Sequence, residues 1–265
     1  MNEQSTYFIS DAHLGLSLRG GEGRQEALSS FLAEISSRAR RLVIGGDFFD
    51  FWIEYRRAIR PDYFSILHRL RTLVEAGVEV HFCAGNHDFG AGRFLREEMG
   101  FQVYPRQASF AISGLRIRVE HGDGLLKKDY AGRFFRRVLQ RPFFQGAYRF
   151  LHPNLGVALA QGLSGLSRKR GIFSTTPEQL AEYRDIARRR LQEGCDIVFL
   201  GHTHIPELVR FPEGIYCNTG GWLGSYSFAL LQEDGQLSLW RYHPGKEPER
   251  LCGDQDPPLS ISFFS

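Results

Sequence analysis

Cysteine is scarce in this 265-residue chain, and its four cysteines, at positions 83, 195, 217 and 252, form no CxxC pair. A disulfide-rich secreted fold and a thiolate metal site both need closely spaced cysteines, so the sequence favours neither. Three of the four lie in or beside apolar, strand-like runs. This pattern predicts reduced core thiols in a cytoplasmic protein.

Long apolar runs are also missing, because no stretch reaches the roughly 18 apolar residues that a membrane-spanning helix needs. The opening residues MNEQSTYFIS lack the basic start of a signal peptide. Hydrophobic residues make up 42% of the chain and charged residues 24%, which is ordinary for a globular protein. We therefore expect one folded domain over residues 1–265.

Acidic residues are nearly absent from residues 124–173. This segment contains ten lysines and arginines and a single acidic residue, Asp129. The rest of the chain holds 23 basic and 29 acidic residues, so the net charge of +3 conceals this asymmetry. We call residues 124–173 the basic insertion. Its composition favours an anionic ligand, a nucleic acid or an anionic membrane surface as its partner.

The remaining chain first alternates strands with helices and then continues with mostly antiparallel strands. Apolar spacing predicts a helix over residues 24–38 and a second helix that begins at Pro61. A capping box between Thr176 and Gln179 predicts the start of a third helix. This order predicts a layered α/β domain. Predicted strands cover residues 7–9, 41–44, 78–84 and 197–200, with hairpins at 110–119 and 227–242.

Five short motifs rich in Asp, Asn and His stand at or just after the ends of predicted strands. Such loops bind ligands in α/β sheets, and Mn²⁺, Mg²⁺, Fe²⁺ and Zn²⁺ accept carboxylate, amide and imidazole ligands. Two cations about 3.5–4 Å apart need a bridging carboxylate and several terminal ligands. The motifs are DAH (Asp11, His13), GDFFD (Asp47, Asp50), GNHD (Asn86, His87, Asp88), HGD (His121, Asp123) and GHTH (His202, His204).

Each motif alone has an ordinary explanation. DAH is compatible with a capping Asp, and GNHD is compatible with a tight turn. GHTH is more specific, because residues two apart on an extended segment point to the same side. The joint occurrence of five motifs at strand ends favours a metal site. The histidines at 68, 81, 152 and 243 lie outside any motif and are predicted to be structural or exposed.

The motif series resembles the calcineurin-like metallophosphoesterases from Asp11 to His204. The resemblance implies a four-layer α-β-β-α sandwich with the basic insertion as a helical lid. It also implies an enzyme that hydrolyses phosphate esters or anhydrides with two divalent cations, with Mn²⁺ favoured over Mg²⁺, Fe²⁺ or Zn²⁺. The ligands it implies are Asp11, His13 and His204 for the first cation, Asn86, His121 and His202 for the second, and Asp47 as the bridge.

His87 directly follows the predicted ligand Asn86 and should overhang the bound phosphoryl group. There it could donate a hydrogen bond to a phosphoryl oxygen or protonate the leaving oxygen. A cationic imidazole needs an orienting carboxylate. The resemblance implies Asp50 for this role, with Asp88 as the alternative. A purely structural role for Asp50 would be to cap a loop.

A closer resemblance links FISDAHLG, GDFFDFW and HGDGLLKKD to the UDP-2,3-diacylglucosamine pyrophosphatases of lipid A synthesis. In that family the lid receives two acyl chains, and water attacks the α-phosphorus to give UMP and 2,3-diacylglucosamine 1-phosphate. Many members have Arg where this chain has His87. The resemblance implies that Asp129 lies near the ribose or glucosamine, that Arg168 or Lys169 lies near the diphosphate, and that Asn86 also contacts the substrate.

The basic, aromatic-rich insertion has the composition of an element that rests on an anionic membrane surface. We therefore expect a cytoplasmic protein at the inner membrane. The alternative is a helical hairpin whose aromatic residues pack on the sandwich and whose arginines are solvated. The oligomeric state is left open by the sequence.

Rival functions share the metal site. A cyclic-nucleotide or dinucleotide phosphodiesterase would not need the basic insertion. A nuclease would use its charges to follow phosphates and its aromatic residues to stack bases. However, the apolar residues 155–166 would have no role there, so no nucleic acid partner is expected. A non-catalytic scaffold should have lost some of its metal ligands. All seven predicted ligand positions hold residues that can bind a metal.

Overall fold

The computed structural model describes residues 5–16, 23–55, 57–139, 141–152, 155–156, 162 and 175–256. The helices of this part include α1 (Arg24–Ile35), α2 (Phe64–Glu75), α3 (Tyr130–Leu139), α4 (Pro142–Tyr148) and α5 (Pro177–Gln192). The strands are β1 (Ser5–Ile9), β2 (Ala39–Ile44), β3 (Glu79–Cys83), β4 (Gln102–Tyr104), β5 (Gln107–Ile112), β6 (Leu115–Glu120), β7 (Ile197–Leu200), β8 (Pro206–Phe211), β9 (Gly214–Thr219), β10 (Ser227–Leu231), β11 (Leu237–Arg241) and β12 (Glu249–Gly253).

The strands form two mixed sheets. The first has the order β12-β11-β10-β1-β2-β3-β4, and the second has the order β5-β6-β7-β9-β8. Strands β1 to β4 run parallel, as do β6, β7 and β9. The carboxyl ends of these two parallel sets carry the five motifs, so the topology can bring loops from both sheets to one place.

Alternation along β1 shows how the layers are built. Tyr7 and Ile9 pack with α1 and α2, while Phe8 points to the other face and stacks on Phe199 with ring centroids 4.0 Å apart. Period-two geometry produces this division. A third cluster joins α5 to the outer face of the second sheet. Three apolar interfaces therefore separate four layers, which confirms the predicted α-β-β-α sandwich.

Most predicted elements are confirmed, with small shifts at their ends. The capping box at α5 is present, because the Thr176 hydroxyl accepts from Gln179 N and the Gln179 side chain accepts from Thr176 N. Helix α1 ends at Ile35, three residues earlier than predicted, because β2 already begins at Ala39. The three-residue strand β4 and the π-helix Phe94–Glu98 were not predicted, since segments this short carry no clear periodicity.

The described part of the basic insertion contains α3 and α4, in agreement with its predicted helical character. Arg168, Lys169 and most of residues 155–166 lie outside the described residues. The single-domain prediction and the lid prediction remain predictions. Among the helices of the described residues, none has the length and apolarity needed to cross a membrane.

Candidate metal centre

The five motifs meet at one edge of the sandwich. Asp11, Asp47 and Asn86 follow the carboxyl ends of β1, β2 and β3, while His121 and His202 follow β6 and β7. Main-chain hydrogen bonds tie these loops to each other, such as those from Asp11 N to Gly46 O and from Gly201 N to His121 O. The site is therefore assembled from both sheets.

Two groups of ligand-type side chains lie at this edge. Asp11, His13 and His204 form one group, and Asp47, His121 and His202 form the other. Within each group the ligand atoms lie within 4.8 Å of one another. Asp47 Oδ2 is 3.1 Å from His121 Nε2 in its own group and 3.7 Å from His13 Nε2 in the first group. Asp47 thus lies between the two groups, where a bridging carboxylate is expected.

Asn86 provides an independent test of whether a cation fits. Its Oδ1 atom is buried and accepts no hydrogen bond from any described residue. Buried polar atoms normally have a partner, and an amide oxygen is a suitable ligand for a divalent cation. The donor set around Asn86 therefore fits a metal site.

Hydrogen bonds orient the ligand atoms. His121 Nδ1 lies 3.1 Å from the Gly45 carbonyl oxygen, so this nitrogen donates and Nε2 faces the centre. His202 Nδ1 lies 3.3 Å from that Nε2 atom. The backbone amide of His202 donates to both Asp11 carboxylate oxygens. Such second contacts fix the ring orientation and the tautomer of a metal-binding histidine.

Burial and neighbouring charges set the protonation states. Burial lowers the pKa of His13 to about 4 against the opposing effect of Asp50, and burial followed by His121 lowers the pKa of His202. Both imidazoles are therefore in the neutral, ligating form near neutral pH. Burial acts to raise the pKa of Asp47, but His121 and His87 outweigh it and hold that pKa well below its ordinary value.

His121 shows the opposite balance. Burial acts to lower its pKa, but the carboxylates of Asp47 and Asp11 raise it well above the ordinary value. These two carboxylates therefore create a strongly negative environment at the Nε2 atom. The same environment favours a divalent cation among these side chains.

Backbone strain is concentrated at the same residues. Seven described residues other than glycine have φ between 42° and 69°. This left-handed region is uncommon for such residues, and strain that persists tends to cluster at functional sites. Five of the seven are predicted ligands, namely Asp11, His13, Asp47, His202 and His204.

Two glycines of the motifs allow the loops to approach closely. A Cβ atom on Gly85 would lie 2.2 Å from Asp47 Oδ1, and one on Gly46 would lie 2.6 Å from His121 Nδ1. Gly46 also has φ of 100°, which side chains with a Cβ atom rarely adopt. These motif positions therefore require glycine for steric reasons.

His87 and Asp50 are in contact, but not only through the predicted group. His87 Nδ1 lies 2.6 Å from the main-chain carbonyl oxygen of Asp50, whereas the carboxylate Oδ1 is 3.7 Å away. The same Oδ1 atom is 3.8 Å from His13 Nδ1. The expectation that Asp50 orients His87 stays a prediction: the carbonyl is the nearest acceptor for His87 Nδ1, and the carboxylate lies within ion-pair distance of both imidazoles.

His87 is also close enough to be considered as a ligand. Its Nε2 atom lies 3.9 Å from Asp47 Oδ2, and His13, Asp47 and His87 form a third group with ligand-atom spacing below 4.8 Å. The imidazole is 20% exposed, unlike the fully buried ring of His13. This exposure leaves one side of His87 available to a substrate.

Asp88 connects two loops instead of orienting His87. Its Oδ1 accepts from Gly85 N at 2.5 Å, and its Oδ2 accepts from Phe48 N at 2.8 Å. Burial, reinforced by the Asp47 carboxylate, raises the pKa of Asp88 to about 7. The alternative partner for His87 is therefore engaged with the backbone beside Asp47 and Asn86.

Sequence reasoning missed a polar support beneath Asp11. Ser10 Oγ donates to Asp11 Oδ2 at 2.5 Å and lies 2.8 Å from the Thr219 hydroxyl oxygen. Asn218 is fully buried and donates to Gly201 O and to the Thr203 hydroxyl. The only local signal is a polar residue at the end of an apolar strand, which is too common to be informative.

The basic insertion contacts the site loops through α4. Tyr148 packs with Ile53 and Phe89, and its ring centroid lies 5.7 Å from that of Phe51. At the start of α3, the Asp129 carboxylate accepts hydrogen bonds from Gly124 N and Gly132 N. Asp129 thus caps a helix, and its predicted contact with substrate stays a prediction.

The insertion also exposes apolar side chains. Six large apolar side chains are exposed in the described part of the chain, and Phe64 is the one that lies elsewhere. The alternative that all insertion aromatics pack on the sandwich is therefore wrong for these positions. The insertion members are Tyr130 (74% exposed), Phe134 (63%), Phe143 (87%), Phe150 (93%) and Leu155 (59%).

Comparison with known proteins identifies related sequences. Residues 5–206 match the family described as calcineurin-like phosphoesterase. A UDP-2,3-diacylglucosamine hydrolase of Porphyromonas gingivalis is 34% identical over 244 residues, covering 84% of this chain and 92% of that protein. A protein of the same name from Tolumonas auensis is 30% identical, covering 76% of this chain and 80% of its own length. One from Haemophilus influenzae is 27% identical, with 88% and 98% coverage.

Proposed function

Because the chain belongs to the calcineurin-like phosphoesterase family, we propose that it hydrolyses the diphosphate of UDP-2,3-diacylglucosamine, giving UMP and 2,3-diacylglucosamine 1-phosphate. Membership confirms the family predicted from the five motifs, and the chain is a metal-dependent hydrolase. The observation that carries the proposed substrate is similarity to hydrolases of that name over most of their length.

The proposed ligands are the seven predicted from the motifs. Asp11, His13 and His204 would hold one cation, Asn86, His121 and His202 would hold the other, and Asp47 would bridge them. When bound, two divalent cations, with Mn²⁺ proposed, lower the pKa of water and neutralise phosphoryl charge. The close spacing of the two side-chain groups supports this assignment.

His87 is the proposed catalytic residue beside this centre. Because Nδ1 donates to the Asp50 carbonyl, Nε2 is the atom that would face the phosphoryl group. In the protonated form, Nε2–H can donate to a phosphoryl oxygen or transfer its proton to the leaving oxygen. Asp50 would orient the ring through its carbonyl, and its carboxylate lies 3.7 Å from Nδ1.

The proposed lipid specificity rests on the two faces of the basic insertion. One face packs on the site loops through Tyr148 and partly buried Phe144. The other face exposes Phe143 and Phe150 to solvent. An element that joins a catalytic site to exposed apolar surface is suited to a substrate with a polar diphosphate and acyl chains.

We expect the enzyme to hydrolyse UDP-2,3-diacylglucosamine with a kcat/KM at least about fifty-fold above that for UDP-N-acetylglucosamine. Three buried methylene groups contribute about 2.4 kcal/mol, which corresponds to this ratio. The measurement compares both substrates in the same detergent with added Mn²⁺. Equal kcat/KM values for the two substrates would contradict the proposed lipid specificity. Hydrolysis of a soluble phosphodiester would then be the favoured function.

Those alternatives are tested in the same series. A cyclic-nucleotide or dinucleotide phosphodiesterase would prefer its soluble substrate and would be insensitive to acyl length. A nuclease would cleave single-stranded nucleic acid, with a rate that falls steeply as salt increases. Either result would redirect the proposal without changing the metal centre.

We further propose that the insertion rests on the anionic inner membrane surface facing the cytoplasm. Phe143 and Phe150 are exposed, and Lys127, Lys128 and Arg141 are exposed basic residues of the same segment. Basic and aromatic residues on one element favour the interface of an anionic bilayer. This surface would give the enzyme access to a lipid substrate.

The variant Phe143→Ala with Phe150→Ala should bind vesicles containing anionic lipid about tenfold more weakly than the parent protein. The reason is that the double substitution removes two exposed aromatic rings from the proposed membrane-binding surface without changing its charge. Co-sedimentation measures binding, and hydrolysis of a soluble phosphodiester should stay the same. Phe64→Ala is the matched control, because Phe64 is 72% exposed but lies on α2. Equal vesicle binding by the double variant and the parent protein would argue against this surface.

A further inference from the structure

Glu54 is a buried carboxylate that none of the five motifs contains. It is 6% exposed and lies between the GDFFD motif and the start of α2. Oε1 accepts from Gly92 N at 2.7 Å and Leu95 N at 3.3 Å, and Oε2 accepts from Phe94 N at 2.8 Å. Three backbone donors therefore hold this carboxylate.

The segment that precedes Glu54 is paired with the loop that carries His87. We call residues 85–92 the His87 loop. Trp52 N donates to His87 O at 2.9 Å, and Gly90 N donates to Trp52 O at 3.2 Å. Ile53 and Gly90 form an isolated parallel bridge. Glu54 therefore closes a short ladder whose other end is the main chain of His87.

The same residue contacts the basic insertion. Arg149, directly after α4, donates from Nε to the Glu54 carbonyl oxygen at 2.9 Å. Next to this contact, Tyr148 packs with Ile53 and Phe89. The side chain of Glu54 thus fixes the end of the His87 loop, and its main chain fixes the insertion.

We infer that Glu54 is a positioning residue, which holds the His87 loop in place for catalysis and ties the basic insertion to that loop through Arg149. The inference rests on the proposed role of His87 in phosphoryl transfer. Small displacements of a catalytic group have large kinetic effects, so a residue that fixes its loop should affect kcat more than KM. Glu54 does not reach the reacting atoms itself.

Glu54→Gln is the direct test, because it keeps the shape but replaces an acceptor oxygen with an NH₂ group that faces a backbone N–H. We expect kcat on a soluble phosphodiester to fall about tenfold, with KM and metal content unchanged. In the His87→Ala background, Glu54→Gln should cause no further loss, because its effect passes through His87. Additive losses would show a merely structural role and overturn the inference.

Two controls separate this effect from general destabilisation. Glu207 is also buried, at 3% exposed, and pairs with Arg184, so Glu207→Gln should lower Tm without lowering kcat per metal-loaded protein. Arg149→Ala should raise KM for the acylated substrate about threefold or more, and Arg189→Ala, which removes the same charge from an exposed position on α5 outside the insertion, should not. Equal KM values for the two arginine variants would overturn the link to the insertion.

Amide hydrogen exchange gives a readout that needs no turnover. Glu54→Gln should accelerate amide exchange in the His87 loop, which ends at Gly92, and at Phe94. The reason is that three backbone amides lose part of their shared acceptor. Unchanged exchange in the His87 loop would overturn the inference, whatever the substrate proves to be. A wild-type protein that cleaves no phosphodiester would instead count against the proposed function, and the exchange result would still decide the role of Glu54.

Discussion

Asp47→Asn should abolish hydrolysis, with a fall in kcat of at least about 10³-fold and a sharp loss of bound metal. Asp47 Oδ2 lies 3.1 Å from His121 Nε2 and 3.7 Å from His13 Nε2, so among the described residues it is the carboxylate that lies between both ligand groups. A neutral amide cannot replace a bridging carboxylate. Loss of one cation removes several kcal/mol of transition-state stabilisation.

Asn is the informative substitution at this position because it keeps the backbone. Asp47 has φ of 50°, and Asn tolerates the left-handed region as well as Asp does. The measurement combines elemental analysis after dialysis with kcat on a soluble phosphodiester in Mn²⁺. Asp185→Asn, at an exposed position on α5, is the matched control and should behave like the wild type. If the Asp47→Asn variant kept both metals and full turnover, the proposed metal site would be wrong.

His87→Ala should lower kcat by about 10²–10⁴-fold, the usual contribution of a general acid or charge-stabilising group. The metal content should stay the same, because His87 is proposed to act on the phosphoryl group and not as a ligand. This distinction matters, since the ligand atoms of His13, Asp47 and His87 lie within 4.8 Å of one another and could share one cation. Loss of a cation together with His87 would reassign it to the metal centre.

The two possible roles of His87 can be distinguished by varying the leaving group of the substrate. If it protonates the leaving oxygen, the loss in His87→Ala should be smaller for a 4-nitrophenyl ester than for an alkyl ester, because a good leaving group needs no proton. An equal loss on both esters would indicate charge stabilisation. His68→Ala is the matched control, since His68 is exposed on α2 and stacks on Phe64 outside the site.

The sequence by itself determined the order of strands and helices and the types of the candidate ligands, whereas the four-layer sandwich was implied by the family resemblance. Alternation in β1 and the capping box at α5 are local signals, and local backbone geometry follows them directly. The motif residues could be predicted because each stands directly after an apolar strand. The fold then brings the strand ends of both sheets together, and the family resemblance was needed to predict that His121, on the second sheet, lies beside Asp11 and Asp47.

Only the tertiary structure decided which groups hold these residues in place. The Asp50 carbonyl beside His87, the Asp88 carboxylate between two loops and the three amides on Glu54 are contacts between segments about 35 to 40 residues apart. The same holds for neighbours in sequence, since Phe143 is exposed while Phe144 is partly buried. Burial and hydrogen-bond partners depend on how separate elements pack, and no local pattern of residues encodes that packing.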